Sequence, residues 1–157
     1  MDTLAPVSIA RHVRLRVPTA RPTEFLDLTD RIAALIADTG LCLGFVNVQT
    51  RHTTTAIVVN EHEPLLLEDF TGLLEATAPS TRAYRHDDPR ERRVNLTPDE
   101  RVNGHAHCRA LVLAASACLN VGDGALQLGT WQRVFFVELD GPRDRELSIV
   151  LLGEGRP

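Results

Sequence analysis

The 157-residue sequence contains no lysine, and all 17 of its basic residues are arginine. This absence excludes Schiff-base chemistry on a lysine side chain and a P-loop mechanism, because both require the lysine amine. It leaves the recognition of phosphate groups to arginine, whose planar guanidinium group suits bidentate contacts.

Other scarce features narrow the class of protein further. The three cysteines have the spacing of neither a disulfide framework nor a thiolate metal site, so a reducing cytoplasm is the expected compartment. The sequence lacks both the core of a signal peptide and the roughly 20 apolar residues of a membrane span, which predicts a soluble protein. The net charge of −4 gives no reason to expect nucleic acid or an anionic membrane as a partner.

The residues that are present can form a sizeable core. Hydrophobic residues make up 43% of the chain. A chain of this length buries roughly two-thirds of its unfolded surface. We therefore predict one domain that spans residues 1–157.

Hydrophobic periodicity predicts the elements of the first half of the chain. Alternation of apolar and polar residues over 7–17 predicts a strand with one solvated face. Apolar residues at three- and four-residue spacing then predict a helix that is capped by Thr23 and ends at Gly40. The β-branched and aliphatic segments 41–49 and 54–59 are typical of strands.

The second half is predicted to add two helices and two strands. A helix begins at Pro64, and residues 79–100, which are charged and contain three prolines, form a long loop. The alanine- and leucine-rich segment 106–119 predicts a buried helix. Segments 125–139 and 147–152 predict two strands that pair as a hairpin. This order favours the α+β class, with antiparallel sheets and packed helices in one compact domain.

Two polar segments lie beside these apolar runs and predict a pocket. The first is Arg-His-Thr-Thr-Thr at 51–55, and the second is Asn-Gly-His-Ala-His-Cys-Arg at 103–109. Imidazole and guanidinium groups are common in metal and phosphate sites. On a helix, His105 and His107 would lie about 200° apart, so they could not share one metal ion.

Four ordered motifs resemble the YjbQ family, whose members are commonly called secondary thiamine-phosphate synthases. They are His52-Thr53-Thr54 followed by Asn60-Glu61, the segment 103–107, the run 126–132 and the segment 138–143. The resemblance implies a compact α+β subunit, a homotrimer and a histidine-rich pocket near the subunit interface. The recurring histidines of the family fall on His52, His86 and His107, whereas position 105 varies.

The resemblance implies a metal site formed by these three histidines. Three neutral imidazoles that converge on one point would hold a divalent metal, with zinc as the first candidate, and leave a fourth position open. The alternative is three hydrogen-bonded side chains around an anion. His52, His107 and Glu61 are the candidate catalytic residues, with Glu61 as a general base or simply as a cap of the next helix.

Three further residues are candidates for contacts with a ligand. Arg109 and Arg143 could each bind phosphate bidentately, or form a structural salt bridge instead. Gln132 could face the pocket from its strand. The expected partner is therefore a phosphate-bearing small molecule.

Three functions remain open on the sequence. The family label implies a transferase that joins a pyrimidine diphosphate to a thiazole phosphate and releases pyrophosphate. A metal-assisted hydrolase of a phosphate-bearing small molecule would use the same residues. A trimer that binds a metabolite or a metal without catalysis is the third possibility.

Overall fold

The computed structural model describes residues 5–155, in which three helices and eight strands form two antiparallel sheets. The strands are Val7–Pro18 (β1), Glu24–Asp27 (β2), Leu41–Thr50 (β3), Thr55–Glu61 (β4), Ser116–Gly122 (β5), Ala125–Leu126 (β6), Gln132–Glu138 (β7) and Asp144–Gly155 (β8). The helices are Thr29–Thr39 (α1), Pro64–Thr77 (α2) and Gly104–Leu111 (α3), and a short 3-10 turn covers Arg85–Asp87. The larger sheet has the order β1-β8-β3-β5-β6 and the smaller one β2-β7-β4, which confirms the α+β prediction.

Strand β7 lies at the centre of the protein and is buried on both faces. Val134 and Phe136 pack in a cluster with the larger sheet and α1. Phe135 and Val137 point the other way and pack with α2 and α3. The smaller sheet is therefore a middle layer, which explains why the run 134–137 is apolar without interruption.

The larger sheet has one uncovered face. Its outward side chains include Leu43, Phe45 and Leu152, which are 63%, 37% and 41% exposed. Within residues 5–155, no helix is long and apolar enough to cross a bilayer.

The first predicted helix is wrong at its start. Residues 24–27 form strand β2, which pairs with β7, and helix α1 begins only at Thr29. Phe25 packs against one hydrophobic cluster and Leu26 against the other, so both faces of this segment contact apolar side chains. Side chains that alternate between two cores satisfy a strand better than a helix.

The prediction for residues 106–119 is also wrong after Leu111, where the helix ends. The carbonyl groups of Ala114 and Ala115 accept hydrogen bonds from the backbone N–H groups of Ile57 and Thr50. Residues 116–122 then continue as strand β5 along β3. Pairing with an existing strand has overridden the helix propensity of alanine and leucine.

The predicted strand 125–139 is interrupted, and its hairpin with the last strand does not form. Strand β6 belongs to the larger sheet and β7 to the smaller one, so residues 127–131 carry the chain between the sheets. Strand β8 pairs with β1 and β3 instead of β7. The predicted strands 7–17, 41–49 and 54–59 and the helix that begins at Pro64 are confirmed.

Candidate functional site

A cavity of about 500 Å³ lies where four distant segments of the chain meet. They are residues 51–54 between β3 and β4, residues 86–100 of the loop after α2, residues 103–107 at the start of α3, and residues 140–145 before and within β8. Its lining residues are Arg51, His52, Thr53, Thr54, His86, Arg92, Asn95, Glu100, Asn103, His107, Asp140, Arg143 and Arg145. We call it the histidine cavity, because His52, His86 and His107 all border it.

The loop after α2 is fastened to helix α3 by Asp87. The carboxylate oxygen Oδ1 of Asp87 accepts hydrogen bonds from the backbone N–H groups of Asn103 and Gly104, each at 3.0 Å. A carboxylate at this end of a helix also interacts favourably with the helix dipole. This contact holds the neighbouring His86 against α3, where its ring centroid lies 4.5 Å from that of His107.

His52 reaches the cavity from the end of β3. Its ring nitrogen Nε2 accepts a hydrogen bond of 3.0 Å from the backbone N–H of Glu146 on β8. Burial lowers the pKa of His52 below its usual value, and the positive charge of Arg145 lowers it further. The imidazole is therefore held in its neutral form near neutral pH.

The donors around His52 and His86 determine which ring nitrogens carry hydrogen. Nε2 of His86 lies 3.1 Å from Nη1 of Arg92. Guanidinium and backbone N–H groups can only donate, so Nε2 of both histidines must be an unprotonated acceptor. Each neutral ring then carries its hydrogen on Nδ1, and offers an N–H donor to a further ligand.

His107 differs from the other two histidines of the cavity. Burial lowers the pKa of His107 below its usual value. Within residues 5–155, its ring takes part in no hydrogen bond, unlike the rings of His52 and His86. Of the three imidazoles, it is the one whose lone pair the described part of the chain leaves free. A neutral imidazole with a free lone pair can accept a proton from a ligand.

A buried ion pair lies beneath the cavity. The side chains of Glu138 and Arg145 are 0% and 6% exposed and meet in two hydrogen bonds of 2.6 Å. The backbone N–H groups of Leu139 and Asp140 also donate to Glu138, and Arg145 donates to the hydroxyl of Thr54. Because the carboxylate and the guanidinium group are extensively hydrogen-bonded, burial of the pair is tolerated. The pair links β7 to β8 and, through Thr54, to the residue that precedes β4.

The wall next to this ion pair combines Asp140, Arg143 and Asn103. Oδ2 of Asp140 accepts hydrogen bonds from Nη2 of Arg143 at 2.8 Å and from Nδ2 of Asn103 at 3.0 Å. The guanidinium of Arg143 also donates through Nε to the carbonyl of Asp140. Its Nη1 group forms no hydrogen bond within the described chain, so it is free to contact a ligand.

A zinc site formed by His52, His86 and His107 would require three free imidazole lone pairs that converge on one point. Within residues 5–155, no group of three or more His, Cys, Asp and Glu side chains could hold a metal ion as placed. A zinc ligand must offer a nitrogen lone pair. Those of His52 and His86 are already used by internal donors. The three imidazoles therefore do not fit a zinc ion in this arrangement.

Three other candidate residues lie away from the cavity. Glu61 ends β4 and borders a separate cleft beside Trp131. Gln132 is exposed and accepts a hydrogen bond from the backbone N–H of Gly129. Arg109 is buried and binds the carbonyl of Ala78 and the carboxylate of Glu75.

These placements separate the candidates into two groups. Arg109 links α3 to α2, which is the structural salt bridge named above as its alternative role. The cavity gathers His52, His86, His107 and Arg143. His105 does not border it, as the helical spacing predicted.

Four lining residues lie outside the segments singled out from the sequence, namely Arg92, Asn95, Glu100 and Arg145. Arg92 donates to His86 and pairs with Glu100 at 2.6 Å. These two residues and Asn95 belong to the loop 79–100, where no periodicity distinguishes one polar residue from another. Arg145 lies near the start of β8, in a segment for which the sequence predicted no strand, so no pattern pointed to it.

The fold and the cavity together define a class of small α+β proteins with two antiparallel sheets and a polar pocket of histidine and arginine. A family model described as UPF0047 protein YjbQ-like matches residues 13–154. The chain therefore belongs to the YjbQ-like UPF0047 family.

Relatives and solved structures agree with this assignment. The UPF0047 protein of Methanothermobacter thermautotrophicus is 36% identical over 140 residues, which cover 89% of this chain and 90% of that protein. The UPF0047 protein of Archaeoglobus fulgidus is 38% identical and is covered over its full length. The crystal structure of a YbjQ-like protein of unknown function from Sulfolobus solfataricus superposes with a TM-score of 0.82 at 35% identity, over 94% of this chain. The names of these three relatives assign no reaction, and they lend no support to thiamine-phosphate synthesis.

Proposed function

We propose that the histidine cavity binds a phosphate-bearing small molecule and that His107 exchanges a proton with it. The observation that supports this proposal is the use of the Nε2 lone pairs of His52 and His86 by internal donors. With those lone pairs committed, the two imidazoles have only N–H groups left for a ligand. A site rich in N–H donors suits an oxyanion better than a cation.

Arg143 supplies the charge that such a ligand requires. It borders the cavity, and only the Nε and Nη2 groups of its guanidinium form hydrogen bonds within the described residues. Arg51, Arg92 and Arg145 are bound to carboxylates of this chain. Arg143 also pairs with Asp140, but its Nη1 group remains available for a phosphate oxygen.

His107 is the proposed acid–base group. It is neutral near neutral pH because its pKa is lowered. Such a group can take a proton from an attacking hydroxyl or water and return it to a leaving oxygen. Both the hydrolysis of a phosphate ester and the displacement of pyrophosphate require this proton transfer. The two reactions are therefore distinguished by identifying the released product.

Binding is tested by calorimetric titration with inorganic phosphate and with pyrophosphate. Arg143→Met should weaken the binding of both anions about tenfold or more, because a hydrogen bond to a charged group contributes roughly 1.5–3 kcal/mol. Arg85→Met is the matched control, since Arg85 is 89% exposed and outside the cavity. No binding of either anion by the native protein would contradict the proposal.

Proton exchange is tested separately with His107→Gln. This variant should retain anion binding but lose release of phosphate or pyrophosphate from phosphate-bearing substrates. His12→Gln is the control on an exposed histidine. If His107→Gln turns over substrate at the native rate, the cavity is a binding site without this acid–base group.

Elemental analysis of protein prepared without affinity-tag metal tests whether the three histidines bind a metal ion. We expect far less than one transition metal ion per subunit. One zinc ion per subunit in the native protein, lost in both His52→Ala and His107→Ala, would restore the three-histidine metal site and overturn the oxyanion proposal.

A further inference from the structure

The histidine cavity contains two buried acceptor groups that a fully deprotonated anion could not use. Asn103 and Asp140 border the cavity and are only 6% and 7% exposed. The carboxamide oxygen Oδ1 of Asn103 is buried and has no hydrogen-bond partner. An unsatisfied buried acceptor is costly, so a ligand that supplies a donor gains affinity there.

The geometry keeps this acceptor from turning away. The amide nitrogen Nδ2 of Asn103 donates to Oδ2 of Asp140 at 3.0 Å. Rotation of the carboxamide by half a turn would bring its oxygen against that carboxylate, which is repulsive. Asn103 is therefore held with its donor on Asp140 and its acceptor unpaired.

The second acceptor is the other oxygen of Asp140. Both hydrogen bonds to this carboxylate, from Asn103 and from Arg143, end on Oδ2. Oδ1 is left without a partner among residues 5–155. A carboxylate beside an anion is repulsive unless a proton lies between the two oxygens.

We propose that Asn103 and Asp140 make the cavity selective for oxyanions that carry a proton, such as hydrogenphosphate and singly protonated phosphate monoesters, over fully deprotonated oxyanions such as sulfate. This inference rests on the proposed function, since it concerns the ligand of the same cavity. The imidazole N–H groups and Arg143 contact the unprotonated oxygens of the ligand. The P–OH group donates to Asp140 or, after a small shift of the shielded carboxamide, to Asn103.

The test is a competition series on the native protein near neutral pH. Phosphate and arsenate carry an O–H group there, whereas sulfate and selenate do not. Phosphate and arsenate should bind about tenfold more tightly than sulfate and selenate, as expected for one hydrogen bond gained together with one repulsion avoided. Equal binding of all four anions would overturn the inference and leave the oxyanion cavity standing, whereas failure of all four to bind would overturn both.

A pair of variants assigns the selectivity to the residues named. Asp140→Asn replaces the acceptor by a group that can also donate, so the preference for phosphate over sulfate should disappear. Asp144→Asn removes the same charge from an exposed position just outside the histidine cavity and should keep the preference. If Asp140→Asn keeps the full preference, Asp140 is not the selective group. If it does not fold, the four-anion comparison on the native protein still decides the proposal.

Discussion

Replacement of Asp87 by alanine should loosen the start of helix α3 and weaken ligand binding together. Its carboxylate accepts hydrogen bonds from two backbone N–H groups at the start of the helix, each at 3.0 Å. Loss of a capping group costs about 0.5–2 kcal/mol, and loss of a negative charge at a helix start adds roughly 0.3–1 kcal/mol. We therefore expect a loss of about 2 kcal/mol in the free energy of unfolding, equivalent to a melting temperature lower by about 4–8 °C in a chain of this size.

The assay for Asp87 is chemical denaturation together with a phosphate titration of the same protein. Phosphate affinity should fall as well, because Asp87 holds the neighbouring His86 against His107. Asp99→Ala is the matched control, since it makes the same substitution at an exposed position of the same loop. If Asp87→Ala unfolds at the same denaturant concentration as Asp99→Ala, the proposed attachment of this loop to α3 is incorrect.

Three further predictions concern pH, the buried ion pair and assembly. Burial lowers the pKa of His52 and His107, so the unfolded chain binds these protons more readily. The free energy of unfolding should therefore fall as the pH drops from about 7 to about 5. This fall should be less steep in His52→Gln and His107→Gln. If both variants show the same pH dependence as the native protein, the prediction is wrong. Glu138→Gln should cost about 3–5 kcal/mol in denaturant unfolding because it leaves Arg145 buried without a countercharge, and a second change, Arg145→Met, should recover part of that loss. Light scattering should give three times the mass of the chain, as the family resemblance implies. Phe45→Glu, on the uncovered face of the larger sheet, should reduce this mass. An unchanged mass in this variant would exclude that face as the interface.

The sequence predicted the elements whose pattern is local. Alternation over 7–17 and β-branched residues over 41–49 were sufficient to identify β1 and β3. The prediction was wrong where one segment packs against two hydrophobic clusters. Residues 24–27 are helical in spacing, yet as a strand they place Phe25 and Leu26 in different clusters. No local pattern reports that a second core exists.

The candidate site shows the same division between local and distant information. His52, His107 and Arg143 lie in motifs that can be read from the sequence, and all three border the cavity. The position of His86 depends on a contact between Asp87 and a helix that begins 17 residues later. Arg109 is a residue type that often binds phosphate, but here its Nε group donates a hydrogen bond to the carbonyl of Ala78. Contacts of this kind follow from packing, which a single sequence does not display.

The histidine cavity is formed by four segments that are synthesised at very different times. The hydrogen bond from Glu146 to His52 joins residues 94 positions apart, and the buried pair of Glu138 and Arg145 lies on the last two strands. During synthesis, the early segments leave the ribosome long before residues 140–146 exist. A nascent chain that lacks residues 140–155 therefore has neither the complete cavity nor strand β8, with which both β1 and β3 pair. The ligand can stabilise only chains whose synthesis is nearly complete, and it cannot assist the earlier folding steps.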